Sequence, residues 1–120
     1  PLGRKRNSKW VPVAVLEDIP EGAAHEISYK LAIKDGYQDI TQKYTVFLTR
    51  QGDDVICIDP ACTHLGCRVK YQDDQKRFFC PCHGGVFDAE GKVVSGPPPH
   101  ALDRLKTKVE KGQVWIQRQV

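Results

Sequence analysis

The segments Cys62-Thr63-His64-Leu65-Gly66-Cys67 and Cys80-Pro81-Cys82-His83-Gly84-Gly85, here called the first and second box, decide how this 120-residue chain is interpreted. Each box carries cysteine and histidine together with glycine, a composition typical of a tight turn. The Cys-x-His pair of the first box and the Cys-x-x-His pair of the second begin about 18 residues apart. Together the two loops can surround a metal site with two thiolates and two imidazoles.

Three chemistries can use such a set of side chains. Zinc accepts two cysteines and two histidines, although zinc modules favour Cys-x-x-Cys knuckles and a longer histidine spacing. A purely structural alternative pairs the cysteines as disulfides and treats the histidines as incidental, which leaves the matched histidine positions unexplained. The third is an iron-sulfur cluster with mixed thiolate and imidazole ligands.

The two boxes closely resemble those of Rieske proteins from cytochrome bc-type complexes, and the strong resemblance covers residues 55–105. It implies one 2Fe-2S cluster, with Cys62 and Cys80 on one iron and His64 and His83 on the other.

The resemblance also implies a disulfide between Cys67 and Cys82 that ties the two loops together. Rieske ferredoxins and oxygenase domains generally lack the second cysteine of each box, so this pair indicates the quinol-oxidising branch of the family. A disulfide further predicts maturation in an oxidising space, such as the periplasmic face of an energy-transducing membrane.

Residues near the boxes resemble the family's cluster surroundings. Residues 95–99, here called the Pro loop, are similar to the proline loop that shields the cluster, and they include Gly96, Pro97 and Pro98. Leu65 is expected to add an apolar contact where the domain docks, with burial as an anchor of the loop as the alternative.

Two positions depart from the high-potential members of the family, which usually carry serine and tyrosine where this chain has Gly85 and Phe87. Hydroxyl hydrogen bonds to sulfur stabilise the more negative reduced state, so their absence should lower the potential. We therefore predict a value in the lower half of the roughly −150 to +300 mV range and menaquinol as the donor.

In this family the ligand histidines, His64 and His83 here, are exposed, hydrogen-bond quinol and couple electron uptake to a proton. The resemblance implies cytochrome b and a c-type cytochrome as partners in a membrane complex, with the isolated domain monomeric. A Rieske subunit of a molybdenum enzyme and a standalone Rieske carrier remain alternatives, as does a zinc-binding interaction module.

Composition limits the remaining classes of function. The net charge of +3 is small, and the basic residues are interspersed with acidic ones, which argues against nucleic-acid binding. No stretch reaches the roughly 18 to 20 apolar residues that span a bilayer, so we expect a soluble head. Because the chain begins with Pro1, we also expect an N-terminal membrane anchor to be missing from it.

Short runs rich in β-branched and aromatic residues, separated by turn signals, predict an antiparallel all-β sandwich or barrel. We expect a tail at 1–9 and one domain at 10–120, with a cluster-binding subdomain inserted at about 61–99. Single helical turns are predicted at 15–19 and 101–105, a polar loop at 35–43, and a buried free thiol at Cys57. The predicted strands are residues 10–15, 27–33, 44–49, 55–58, 77–80, 92–94, 106–109 and 114–117.

Overall fold

The computed structural model describes residues 8–61 and 66–119. Their backbone is mainly antiparallel β-structure, with a 3-10 helix at Leu16–Asp18, so the predicted all-β class is confirmed. Each of the eight predicted strands has a counterpart in the structure. The strands are β1 (Ser8–Val15), β2 (Ala24–Asp35), β3 (Gln38–Gln51), β4 (Asp54–Ile58), β5 (Lys70–Gln72), β6 (Arg77–Cys80), β7 (Gly85–Asp88), β8 (Val93–Ser95), β9 (Arg104–Leu105), β10 (Thr107–Glu110) and β11 (Gln113–Gln119).

Within the described residues the strands form three sheets. The terminal sheet has the order β1-β11-β10 and brings the two ends of the described chain together. The central sheet has the order β2-β3-β4-β9. The box sheet, β5-β6-β7-β8, carries the second box between β6 and β7 and leads directly into the Pro loop.

The middle strands of the central sheet are buried on both faces, and residues 45–49 of β3 are all buried. Alternate side chains of a strand point to opposite faces. Val46 and Leu48 therefore enter one core while Phe47 enters another. On β4, Cys57 and Ile58 divide in the same way.

The two cores have distinct memberships. The base core lies between the central and terminal sheets and comprises Val11, Leu16, Ile19, Tyr29, Val46, Leu48, Val55, Cys57, Val114 and Ile116. The box core lies between the central and box sheets and comprises Phe47, Ile58, Val69, Phe78, Cys80, Phe87 and Leu102. The box sheet is thus attached to the base through the side chains of β3 and β4.

Two local predictions were wrong. Residues 35–43, predicted as a mobile polar loop, complete a hairpin in which the whole of β2 pairs with β3, from Ala24↔Thr49 to Asp35↔Gln38, and the chain turns at Gly36. The backbone ladder forms there although the side chains from 38 to 43 are exposed. Residues 101–105, predicted as a helical turn, contain no helix: Leu102 donates a hydrogen bond to Gly91 O (2.8 Å), and Arg104–Leu105 form β9, in which Arg104 pairs with Ile58.

The other helical turn, before Pro20, is confirmed as the 3-10 helix Leu16–Asp18. No helix in residues 8–61 or 66–119 is both long enough and apolar enough to cross a bilayer.

Candidate metal centre

The two boxes are joined by a disulfide between Cys67 and Cys82, with their Cα atoms 6.5 Å apart. The predicted pairing is therefore confirmed. Since Cys67 ends the first box and Cys82 lies inside the second, the bond holds two loops that are distant in sequence against each other. The disulfide connects the two boxes independently of any bound metal.

Two of the four predicted ligands belong to the second box and are described by the structure. Cys80 ends β6 in the box core, with 2% of its surface exposed and its thiol outside any disulfide. The chain then turns: Gly84, at φ +75°, donates a backbone hydrogen bond to Cys80 O (3.1 Å). The turn leaves His83 an exposed residue, so this box offers one buried thiol and one histidine at the surface.

The predicted first-box ligands, Cys62 and His64, lie outside the described residues, and so does Leu65. The chain on either side of them is tied together. Ala61 and Arg68 form an antiparallel bridge, and Val69 donates a hydrogen bond to Pro60 O (2.7 Å). Val69, which follows the first box, is 1% exposed and belongs to the same box core as Cys80.

The Pro loop packs against the second box at very short range. Gly96 has φ +96°, and a Cβ atom built there would be 2.9 Å from Gly85 Cα and 3.1 Å from Gly84 O. Real Cβ atoms are not found so close to backbone, and only glycine adopts this conformation without strain. The Pro loop therefore lies against the second box, with Pro98 buried and Pro97 exposed, and its shielding of a cluster stays a prediction.

Phe87 lies beneath the site, in the box core with Cys80, and is fully buried. It pairs across the sheet with Phe78, which contacts Phe47 edge-on at a ring-centroid distance of 5.1 Å. Leu102, from a segment whose structure was predicted wrongly, completes this core. No sequence pattern indicates its role, because its contact with Gly91 joins two separate loops.

Cys57, which is also buried, is not part of this site. It points into the base core and is 1% exposed, and its thiol is outside any disulfide, as predicted. Burial raises the pKa of the Cys57 thiol to about 12, so it stays protonated near neutral pH. A protonated thiol is neither a good nucleophile nor a metal ligand.

The donor atoms present fit a mixed thiolate and imidazole site. Sulfur from Cys80 and nitrogen from His83 suit iron or zinc better than the oxygen-preferring ions. In the described part of the chain no three metal-binding side chains gather, and two of the four predicted ligands lie outside that part. The disulfide joins Cys67, the last residue of the first box, to Cys82 of the second box.

Comparison with known proteins agrees with this arrangement. A family model described as "Rieske [2Fe-2S] domain" matches residues 9–107. The chain is 33% identical over 92 residues to the menaquinol:cytochrome c reductase iron-sulfur subunit of Bacillus subtilis, covering 73% of this chain. It is 44% identical over 73 residues, 58% of this chain, to the cytochrome b6-f complex iron-sulfur subunit of Synechococcus sp. WH7803.

Among solved structures, the cyanobacterial plasma membrane Rieske protein PetC3 from Synechocystis PCC 6803 matches with a TM-score of 0.56 and 31% identity. The match covers 76% of this chain and 84% of that chain. The alignments span 55% and 41% of the two curated relatives, so this chain corresponds to about half of such proteins.

Proposed function

The chain belongs to the Rieske [2Fe-2S] domain family, and from that membership we propose that it accepts single electrons from a quinol in a cytochrome bc-type complex and delivers them to a c-type cytochrome. The relatives named above are subunits of a menaquinol:cytochrome c reductase and of a cytochrome b6-f complex. Membership also means that the chain carries one 2Fe-2S cluster. The ligand set and the role within a complex are the parts proposed.

The observation that carries this proposal is the disulfide between Cys67 and Cys82. It joins the two boxes covalently, and Cys80 of the second box is buried and outside any disulfide. Rieske ferredoxins and oxygenase domains resemble the same pattern but generally lack this cysteine pair. The bond also favours the oxidising side of a membrane as the place where the domain works.

We propose Cys62, His64, Cys80 and His83 as the ligands. When bound, the cluster supplies a site that takes up one electron. Buried Cys80 holds its side of the site within the box core, away from water. Exposed His83 presents an imidazole at the surface, where a nitrogen not bound to iron can accept a hydrogen bond from a quinol hydroxyl and take up its proton.

Menaquinol is the proposed donor because Gly85 and Phe87 carry no hydroxyl to hydrogen-bond the cluster sulfurs. Fewer such bonds stabilise the reduced state less, so the potential falls. Protein-film voltammetry on the cluster-loaded chain near neutral pH should give a midpoint in the lower half of the roughly −150 to +300 mV Rieske range. A midpoint near the top of that range would remove the argument for menaquinol.

Spectroscopy separates the proposed cluster from the zinc alternative. A reduced Rieske cluster gives a rhombic EPR signal, whereas a zinc-loaded chain is colourless and has no signal. Rapid mixing of the reduced chain with an oxidised c-type cytochrome then tests delivery, and reduction of the haem in step with loss of the EPR signal is expected. A cluster that forms but transfers no electron to the haem would contradict the proposed acceptor.

A further inference from the structure

Gly85 is a position in the second box where the structure leaves no room for a side chain. A Cβ atom built on Gly85 would be 2.7 Å from Pro98 Cγ, 3.1 Å from Pro98 Cδ and 3.6 Å from Cys80 Cβ. The two shortest distances end on the same pyrrolidine ring, and the third ends on a proposed ligand. The side-chain position of residue 85 therefore lies between the Pro loop and Cys80.

The Pro loop depends on such packing because of its composition. Pro97, Pro98 and Pro99 have no backbone N–H and cannot donate hydrogen bonds to a neighbouring strand. The ladder between β7 and β8 reaches Val86 and Ser95, directly before the loop. Beyond that pair, the Pro loop is held against the second box by van der Waals contacts of Gly96 and Pro98.

We infer that Gly85 and Pro98 form one steric unit, in which the Pro98 ring fills the side-chain position of residue 85 and sets how closely the Pro loop covers Cys80. Pro98 is thus a positioning residue for the cluster. The inference rests on the proposed function, because it takes Cys80 as a ligand and the Pro loop as its cover. It deepens that proposal by linking the missing hydroxyl at position 85 to a proline in another segment.

The unit has a direct consequence for substitutions at position 85. A serine there brings a Cβ atom into the space of the Pro98 ring, so the loop must move outward before the hydroxyl can approach a cluster sulfur. Overpacking of a close contact is destabilising even when the added group is small. Gly85→Ser alone therefore has two opposing effects on the cluster. The serine hydroxyl adds a hydrogen bond to a cluster sulfur, and the serine Cβ displaces the Pro loop.

Removing the ring should relieve the conflict. Alanine at position 98 has neither Cγ nor Cδ, the two Pro98 atoms that a Cβ on residue 85 would meet. Pro99→Ala is the matched control, since Pro99 is an exposed proline of the same loop and is not among the atoms nearest that Cβ position.

The test follows the loss of visible absorbance after EDTA is added to cluster-loaded G85A, P98A, G85A/P98A and G85A/P99A. We expect G85A to lose its cluster faster than the wild type by about fivefold or more. G85A/P98A should lose it no faster than P98A alone, whereas G85A/P99A should stay as fast as G85A. If G85A does not load, cluster content after identical reconstitution is compared instead, with restoration by P98A and not by P99A.

Equal rates of cluster loss, or equal cluster contents, in G85A/P98A and G85A/P99A would overturn the inference that Gly85 and Pro98 form one steric unit. The midpoint potential provides a separate comparison, in which G85S/P98A should be more positive than G85A/P98A because only the former has a hydroxyl. Rescue by P98A without that shift would reject the hydrogen-bond argument for menaquinol while leaving the packing inference supported. The two failures are therefore distinguishable.

Discussion

Cys57 and Cys80 are both buried and both outside any disulfide, yet they belong to different hydrophobic cores. Cys57 lies within β4, flanked by Ile56 and Ile58, and points into the base core. Cys80 ends β6, where the chain turns toward His83 and a disulfide anchors the neighbouring box. Burial alone therefore does not distinguish a structural thiol from a proposed ligand. We base the proposal for Cys80 on its position at a strand end, close in sequence to the second donor His83.

The largest expected effect separates these two cysteines. Cys80→Ala should abolish cluster binding, because it removes one of the two proposed thiolate ligands. Cys57→Ala should retain a full cluster, since its side chain lies in the other core. Iron content and the visible spectrum after identical reconstitution measure both variants. Cluster loss in C57A at a normal folded content would contradict the separation of the two cores.

Adjacent residues on β3 extend the comparison from the cysteines to the cores. Phe47→Ala should lower the free energy of unfolding by about 3–5 kcal/mol and Leu48→Ala by about 2–5 kcal/mol. Only Phe47 contacts the box core, so only F47A should also speed cluster loss under conditions where both variants are folded. Urea unfolding and chelator-driven bleaching measure the two effects. Equal bleaching rates for F47A and L48A would show that the cores are not distinct in function.

The disulfide between Cys67 and Cys82 has a smaller expected effect on stability. It closes a loop with a sequence separation of 15, for which the chain-entropy model gives about 3 kcal/mol. Cys67→Ala/Cys82→Ala should lose roughly that amount in urea unfolding and should release its cluster faster. An unchanged cluster lifetime would mean that the bond stabilises the fold without holding the ligand loops.

Replacing Cys57 should have the smallest effect on stability at neutral pH and a larger effect on how stability depends on pH in alkali. C57A should cost about 1 kcal/mol near pH 7, comparable to deletion of one buried methylene. In the wild type the folded state keeps its thiol proton up to a pKa of about 12, whereas the unfolded chain releases it near the ordinary value of 9.0. Stability present below pH 9 is therefore lost as pH rises from 9 toward 12.

That alkaline loss should be reduced in C57A, as followed by unfolding curves at several pH values. Cys57→Ser is the matched control, because it keeps a polar hydrogen-bearing group that does not ionise in this range. If the free energy of unfolding depends on pH identically in C57A and the wild type, the alkaline loss of stability arises from groups other than Cys57.

Local pattern predicted the longer strands well and the box sheet less well. The runs in β3 and β4 are rich in branched and aromatic residues, so their strands are evident from sequence. β5 has three residues, β7 begins at a glycine, and β9 has two residues, so none has a side-chain pattern of its own. These strands exist because neighbouring segments supply hydrogen-bonding partners.

The resemblance of the two boxes to a known family predicted the disulfide between Cys67 and Cys82, but nothing in the sequence predicted how the site is packed. Cys80 and His83 remain predicted ligands. The contact between Gly85 and Pro98 joins positions that sequence leaves unrelated, and the burial of β3 on both faces arises only when two sheets pack against a third. Such features depend on tertiary contacts rather than on local pattern.

The central claim is that His83 and a histidine of the first box are ligands of one cluster. The chain has four histidines, at positions 25, 64, 83 and 100, so pulsed EPR of the reduced, ¹⁵N-histidine-labelled protein tests it directly. We predict couplings from two inequivalent histidine nitrogens, unchanged in a variant that carries both His25→Ala and His100→Ala. Coupling to a single histidine, or to none, would contradict the account.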